Sequence, residues 1–388
     1  MRDRALLMIP GPIEFESEVL QALGAPTSSH VAPEFIEVFG QALERMREVW
    51  LCPSGQPFVV SGSGMLALEM AVANLIESGD KTLVLSTGVF GDRYADLLRR
   101  YHVEVSVLRA PLGKTIPLQQ VEETLKEHRY KLMTITHVDT STGVRTDAKF
   151  LAAIARKYDT LTVLDGVCSV AGEELRQEEW GIDVVLTASQ KAIGVPPGLA
   201  LMIVSPRAIE TWRRRKTPVS NYYADWGNWL PIMEAYEARK ASYFATPPVN
   251  LICALNVSLE RILKEGMETR FERHKRFGAA CKAGIQALGL EQVPTDSAHA
   301  AATLTAPYYP RGITGSEFLP KVKDAGVILA GGLHPDIKGK YFRIGHMGAE
   351  TAGDLLATIG AIEAGLQGCG YTFELGAGVR AAQHTLRG

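Results

Sequence analysis

From residue 58 onward the chain alternates short apolar runs with longer amphipathic ones. Phe58–Val60, Thr82–Leu85, Val103–Leu108, Leu132–Thr136, Thr160–Leu164, Val184–Leu186 and Leu199–Val204 have strand length and little polar interruption. Between them, stretches near 65–77, 91–101, 117–129 and 147–158 repeat their apolar positions at helical spacing. Strands that are apolar on both faces belong inside, and their alternation with helices predicts an α/β fold whose mostly parallel seven-stranded sheet is covered on both sides. Ligands of such sheets gather at the carboxyl ends of the strands. Gly64, Thr142, Asp165 and Lys191 each fall just after a predicted strand.

The pattern becomes irregular from about 207 to 250, where Trp212, Tyr222, Tyr223, Trp226 and Trp229 crowd together as a packed surface or an interface. Helical spacing resumes from Leu251 through Gly266 to Leu288 and leads into a smaller C-terminal α+β domain. The strands predicted there are Ala301–Thr305, Val327–Ala330 and Tyr341–Ile344. The expected division is an N-terminal arm (1–20), a large domain (21–255), a small domain (256–368) and a glycine-rich, loosely held tail (369–388).

Composition narrows the function. A chain of 388 residues, 46% of them hydrophobic, buries a sizeable core. Its net charge of −2, with acids and bases interspersed, offers no basic stripe for nucleic acid. The five cysteines are scattered and the histidines show no metal-ligand spacing, so neither a disulfide framework nor a metal site is expected. No run approaches the ~18 apolar residues of a membrane span. The first residues, with Asp3 among them, do not read as a secretory leader, and Thr-Leu-Arg-Gly is not a peroxisomal address. A cytoplasmic protein is the expectation, with an organellar pool left open.

Lys191 carries the chemistry. A lysine at the end of a core strand is unfavourable unless its amine is put to use, as when it forms a Schiff base with a carbonyl cofactor. Twenty-six residues earlier, Asp165 ends another apolar run. Together they are the two side chains that pyridoxal phosphate requires, one at its aldehyde and one at its pyridine nitrogen. By themselves they read more simply as a buried ion pair or as two solvated loop charges. Ser61-Gly62-Ser63-Gly64 between strand and helix reads as a phosphate cradle or, taken alone, as a tight turn with a plain N-cap, and its spacing fits neither a dinucleotide fingerprint nor a nucleotide P-loop.

These segments, with Ile9-Pro-Gly-Pro12, Ser86-Thr-Gly88, Phe90-Gly-Asp-Arg93, His137-Val-Asp-Thr-Ser-Thr-Gly143, Ser189-Gln-Lys191, Tyr243-Phe-Ala-Thr-Pro-Pro248 and Phe342-Arg-Ile-Gly-His-Met-Gly348, resemble the class V aminotransferases. These are pyridoxal-phosphate (PLP) enzymes of fold type I. The chain is most similar to their alanine–glyoxylate and serine–pyruvate branch, the fungal alanine–glyoxylate enzymes above all, over roughly residues 8–366.

The resemblance implies roles. Lys191 is implied as the Schiff-base lysine and proton shuttle, and Asp165 as the partner of the pyridine nitrogen, charged well below neutral pH. Val167 and Phe90 would flank the ring; the family more often has tryptophan at the latter position. Ser63, Gly64, Met65 and Gln190 would surround the phosphate, Met65 through its backbone amide alone, and Thr142 would reach the ring hydroxyl. Gly11 and Arg343 are implied at the substrate, with the guanidinium fork on its carboxylate. Tyr243 and Thr246 would reach the neighbouring subunit's phosphate in a homodimer with shared active sites.

The implied reaction moves the amino group of alanine to glyoxylate in ping-pong fashion, giving pyruvate and glycine. Serine is the alternative donor, and a cysteine desulfurase the more distant alternative. The matched motifs are read as offering no second arginine that would bind a distal carboxylate, which fits small amino-acid and 2-oxo-acid substrates.

Overall fold

All seven apolar runs pair into one sheet. The computed structural model describes residues 4–387; Met1–Asp3 of the expected arm and Gly388 lie outside the described residues. Strands β1 (Gln56–Ser61), β2 (Lys81–Ser86), β3 (Glu104–Arg109), β4 (Leu132–Thr136), β5 (Leu161–Asp165), β6 (Val184–Ala188) and β7 (Leu199–Val204) lie in the order β1-β7-β6-β5-β4-β2-β3. Only β7 runs against its neighbours; the remaining pairs are parallel. Strands β4 to β7 are buried from end to end, which is why they show no polar alternation.

The parallel strands all point at one edge, where the loops after β1, β2, β4, β5 and β6 converge. Helix α1 (Gly64–Ala73) follows β1, and α2 (Val89–Arg99) follows β2. In the aromatic stretch, Trp226 is buried and stacks on Phe58 of β1 at 5.6 Å, while Tyr222 is 76% exposed.

Helix α3 (Val249–Glu265) runs straight through the expected 255/256 boundary, and its Ile252, Leu255 and Ile262 join the core of the sheet. The helical run breaks only at Gly266, whose φ of +85° suits glycine. Helix α4 (Met267–Ala287) then crosses to a second apolar cluster that includes Phe277, Cys281, Phe318 and Phe342. Strand β8 (Phe342–Gly345) pairs antiparallel with Leu304–Thr305 and with Ala330–Gly331. The expected strand Val327–Ala330 is divided, because Val327–Ile328 pairs instead with Leu6–Leu7 of the N-terminal segment. No helix among the described residues is long and apolar enough to cross a membrane.

The tail departs from expectation. It is not loose: α6 (Ala377–Arg387) packs on α4 and on α5 (Ala352–Gly368), with Ala382 fully buried. The glycines that read as slack serve close approach. A Cβ on Gly284 of α4 would stand 3.1 Å from Gly378 O. The buried Glu363 carboxylate caps α6, accepting from the amides of Gly376 (2.7 Å), Gly378 (2.9 Å) and Val379 (3.2 Å). Glu363→Ala strands three amides and should lower stability by roughly 2–3 kcal/mol. The measurement is the urea midpoint at constant m; an unshifted midpoint would refute the capping role.

Candidate active site

Three strand ends meet around one pocket, and two glycines report how closely. A Cβ on Gly64 would lie 3.2 Å from Val167 Cγ2 and 3.3 Å from Ala188 Cβ, so the start of α1, the loop after β5 and the end of β6 are in contact. Ser63 caps α1 in extended conformation, and its side chain makes no cap hydrogen bond. That hydroxyl and the first amides of α1 are therefore free for an anion at a helix N-terminus. Met65 adds its amide while its side chain, 41% exposed, touches Arg93. The Gln190 side-chain oxygen is buried without a partner. An open helix start and a free hydroxyl fit a phosphate-bearing group, which the Gln190 amide would serve through its Nε2 donor and not through this oxygen.

Asp165 closes β5 at 4% exposure, its Oδ1 accepting from Val167 N at 2.9 Å. Burial pushes its carboxyl up to about 7; Asp139 adds to the rise, while the Val167 amide and the Lys191 charge oppose it. The expected low value presupposes a cation on the carboxyl, and in the protein alone desolvation wins. Lys191 lies just past β6, its Nζ donating to Pro10 O. Burial holds its amine below the usual lysine range, with Arg343 acting in the same direction and Cys168 and Asp165 against it. Gly11, at φ +100°, covers this side chain so tightly that a Cβ would stand 2.6–2.9 Å from Lys191 Cδ, Cε and Nζ.

Phe90 is placed by a residue to which the sequence assigned no role. Asp139, fully buried, accepts from the amides of Phe90 (3.0 Å) and Gly91 (3.4 Å) with Oδ2, and from Ser141 N (2.9 Å) with Oδ1. It thus caps α2, and a Cβ on Gly88 would collide with it at 2.6 Å. Arg93 lies 4.8 Å from the centre of the Phe90 ring.

Thr142 departs from the role implied for it. Its hydroxyl, fully buried, donates to Thr87 O (3.2 Å) and accepts from Val144 N (3.3 Å), so the turn between two strands already engages it. Arg343 of β8 faces the same loop, donating to Gly331 O (3.0 Å) and Thr140 O (3.2 Å). It has no ion-pair partner among the described residues, which leaves part of its fork for an incoming carboxylate. Tyr243 and Thr246 are not gathered with Lys191. Both are exposed, their hydroxyls 3.4 Å apart, with the tyrosine ring beside His30.

The raised Asp165 carboxyl sets a pH dependence. Its folded value, about 7, exceeds the unfolded ~3.9, so the stability it lends is complete below about pH 4 and lost as pH rises through about 7. Asp165→Asn, which mimics the neutral acid, should therefore make the cofactor-free protein more stable than the parent above about pH 8. The advantage should vanish below about pH 4, the gap opening at ~1.4 kcal/mol per pH unit. Thermal melts across this range measure it; a gap that ignores pH would mean that the carboxyl is charged throughout.

Comparison with known proteins agrees with this geometry. The family model for aminotransferase class-V matches residues 14–344. Alanine–glyoxylate aminotransferase 1 of Saccharomyces cerevisiae is 41% identical over 358 residues, 88% of this chain and 91% of that one. L-Aspartate–glyoxylate aminotransferase of Paracoccus denitrificans is 33% identical over 98% of this chain and 96% of its own. The solved ureidoglycine–glyoxylate aminotransferase of Bacillus subtilis superposes with a TM-score of 0.92 at 26% identity, covering 100% of this chain and 99% of that one. The chain belongs to the class V aminotransferases and is a pyridoxal-phosphate-dependent aminotransferase.

Proposed function

We propose that this protein transfers the amino group of a small amino acid, alanine first, to glyoxylate. The observation that carries the reading is Arg343, a largely buried guanidinium held by two carbonyls and no carboxylate, with Lys191 close enough to feel its charge. That pairing matches an α-carboxylate at one end of the substrate and a Cα proton at the other. The three relatives above differ in donor, yet each name includes glyoxylate, which favours glyoxylate as acceptor.

Ser63, the Gly64 and Met65 amides and Gln190 would hold the cofactor phosphate, and Val167 and Phe90 would flank its ring. Asp165 would stabilise a proton on the pyridine nitrogen. Bound there, pyridoxal phosphate supplies the electron sink that makes a donor Cα–H acidic. Lys191 Nζ takes that proton, and its burial favours the neutral amine that a base requires. Arg343 fixes the carboxylate and so the direction in which the Cα–H points. Thr142 would assist through the turn it ties to Thr87.

Aspartate as donor is a second reading, favoured by one observation: the 33% identical relative from Paracoccus denitrificans is named an L-aspartate–glyoxylate aminotransferase. A desulfurase is disfavoured, since Cys281 is buried inside α4 and Cys168, near Lys191, is buried with its thiol pushed up by desolvation.

Mixing the holoenzyme with alanine, serine or aspartate separately, each with glyoxylate, should give the fastest glycine formation from alanine. Glycine formation from none of them would overturn the reading. Arg343→Lys keeps the charge without the fork, so kcat/KM for the donor should fall about 10²-fold, roughly 3 kcal/mol. Unaltered kinetics with weakened cofactor binding would assign the residue to the cofactor instead.

The exposed Tyr243 and Thr246 favour a homodimer in which each chain completes its partner's site. Pro247 and Pro248 stiffen the segment and supply no amide donors, leaving binding to side chains. Lys191→Ala and the double variant Tyr243→Phe with Thr246→Ala, each inactive alone, should regain activity when subunits are exchanged, because one site of the mixed dimer is then intact. Proven exchange between two impaired variants without recovery would refute shared sites.

A further inference from the structure

We propose that one turn of α4, from Arg270 to His274, is a positioning element that sets the spacing between the Lys191 amine and the Arg343 guanidinium. The inference rests on the roles given to those two residues above.

Arg270 is 6% exposed and its three nitrogens are all engaged. Nε donates to Ala171 O, Nη2 to Ala192 O and Nη1 to Glu265, each at 2.7 Å. Ala192 is the residue after Lys191. Ala171, at φ +61°, holds a left-handed conformation that is strained for alanine, in the segment that follows Asp165. One guanidinium thus grips the backbone beyond both the Asp165 and the Lys191 strand ends.

The next positions on the same helix face hold the other half of the site. Arg273 Nη2 donates to Gly348 O at 3.0 Å, and His274 Nε2 accepts from Gly348 N at 3.0 Å. His274 Nδ1 donates to Arg270 O at 2.8 Å, which fixes the tautomer; burial, then the two neighbouring arginines, keeps the ring neutral. Gly348 lies three residues past the end of β8, the strand that carries Arg343. It passes so near the lysine turn that a Cβ would stand 3.8 Å from Ala192 Cα and 2.2 Å from Ile13 Cδ1. Glu265, closing α3, bridges Arg270 and Arg273.

Residues three and four apart on a helix form one rigid surface, so the lysine turn and the loop behind Arg343 take their register from a single turn. A buried arginine–glutamate pair contributes little net stability compared with apolar packing. What it adds is direction: a planar fork fixes two carbonyls that a lysine would not hold together.

The test splits the two arms. Arg270→Lys, which disturbs the Lys191 side, should lower kcat by about 10²-fold with donor KM nearly unchanged. Arg273→Lys, which disturbs the Arg343 side, should raise donor KM and leave kcat nearly unchanged. Visible circular dichroism of the bound cofactor, recorded without donor, should weaken in the first variant and hold in the second; this readout is independent of which substrate the enzyme uses.

A cavity of about 310 Å³ opens onto Arg270 and Arg273. Added guanidinium should therefore restore part of the kcat lost in Arg270→Ala. Variants that lose thermal stability while keeping parental dichroism and kinetics would overturn the proposal, as would equal losses of kcat and KM in both. Should the Arg270 variants fail to fold, Arg273→Lys, at a less enclosed side chain, gives the KM-only signature or refutes it. Unaltered turnover in Lys191→Ala or Arg343→Lys would instead remove the roles on which the inference rests.

Discussion

Lys191 is 9% exposed with one carbonyl, that of Pro10, accepting from its amine, and a buried ammonium so thinly solvated is unfavourable. Much of the surrounding structure follows from enclosing it. The N-terminal segment has to pass directly over the side chain, which only a residue without Cβ permits, and Gly11 stands there. That segment in turn needs an anchor. Leu6 and Leu7 find one by pairing with Val327 and Ile328, so the lid over the lysine is held by the small domain.

The same enclosure sets the charges. Burial lowers the Lys191 amine and raises the Asp165 carboxyl, so both shifts favour neutral forms, and their mutual attraction only partly opposes this. Without a ligand, the pocket therefore resists charge on both groups. A pyridine nitrogen to share the carboxyl's proton and a phosphate at the open start of α1 would supply the opposite charges that the walls lack. The neutral amine is also the form able to accept a proton, so the enclosure that makes this lysine unfavourable also suits it to act as a base.

The sequence made legible whatever is local or periodic. Lys191, Asp165 and the Gly62–Gly64 turn stand out because strands buried on both faces leave continuous apolar runs, and the residues that punctuate them are those the site uses. Arg270, Arg273 and His274 left no such signal. They lie in Arg-Phe-Glu-Arg-His-Lys-Arg, which reads as a solvated helix face; Arg270 meets backbone carbonyls 99 and 78 residues away, and Arg273 and His274 meet the Gly348 backbone 75 and 74 residues away. Asp139 lies within the His137–Gly143 segment yet carries no sequence signal, because capping a helix some fifty residues earlier in sequence has no periodicity. Composition misled in the tail: glycines that allow helices to touch look the same in sequence as glycines that allow a chain to move. Thr142 shows a related limit: its segment stands out in the sequence, whereas the bonds its hydroxyl makes within the local turn do not.

The bonds made by α4 also constrain how the two parts of the molecule can move. Up to His274 the helix is fastened to the backbone beside Lys191, whereas from Phe277 onward its apolar face belongs to the small-domain core. A rotation of the small domain that preserves these bonds must bend the molecule beyond His274. Gly278 is the next helical position without a side chain, already pressed against the Ala302 carbonyl, where a Cβ would come within 2.8 Å. The Gly348 loop is tied on the near side of that point. Strand β8 itself belongs to the small-domain core through Phe342 and Ile344, so the bonds from Arg273 and His274 to the Gly348 loop tie that core to the helix turn that also grips the backbone beside Lys191.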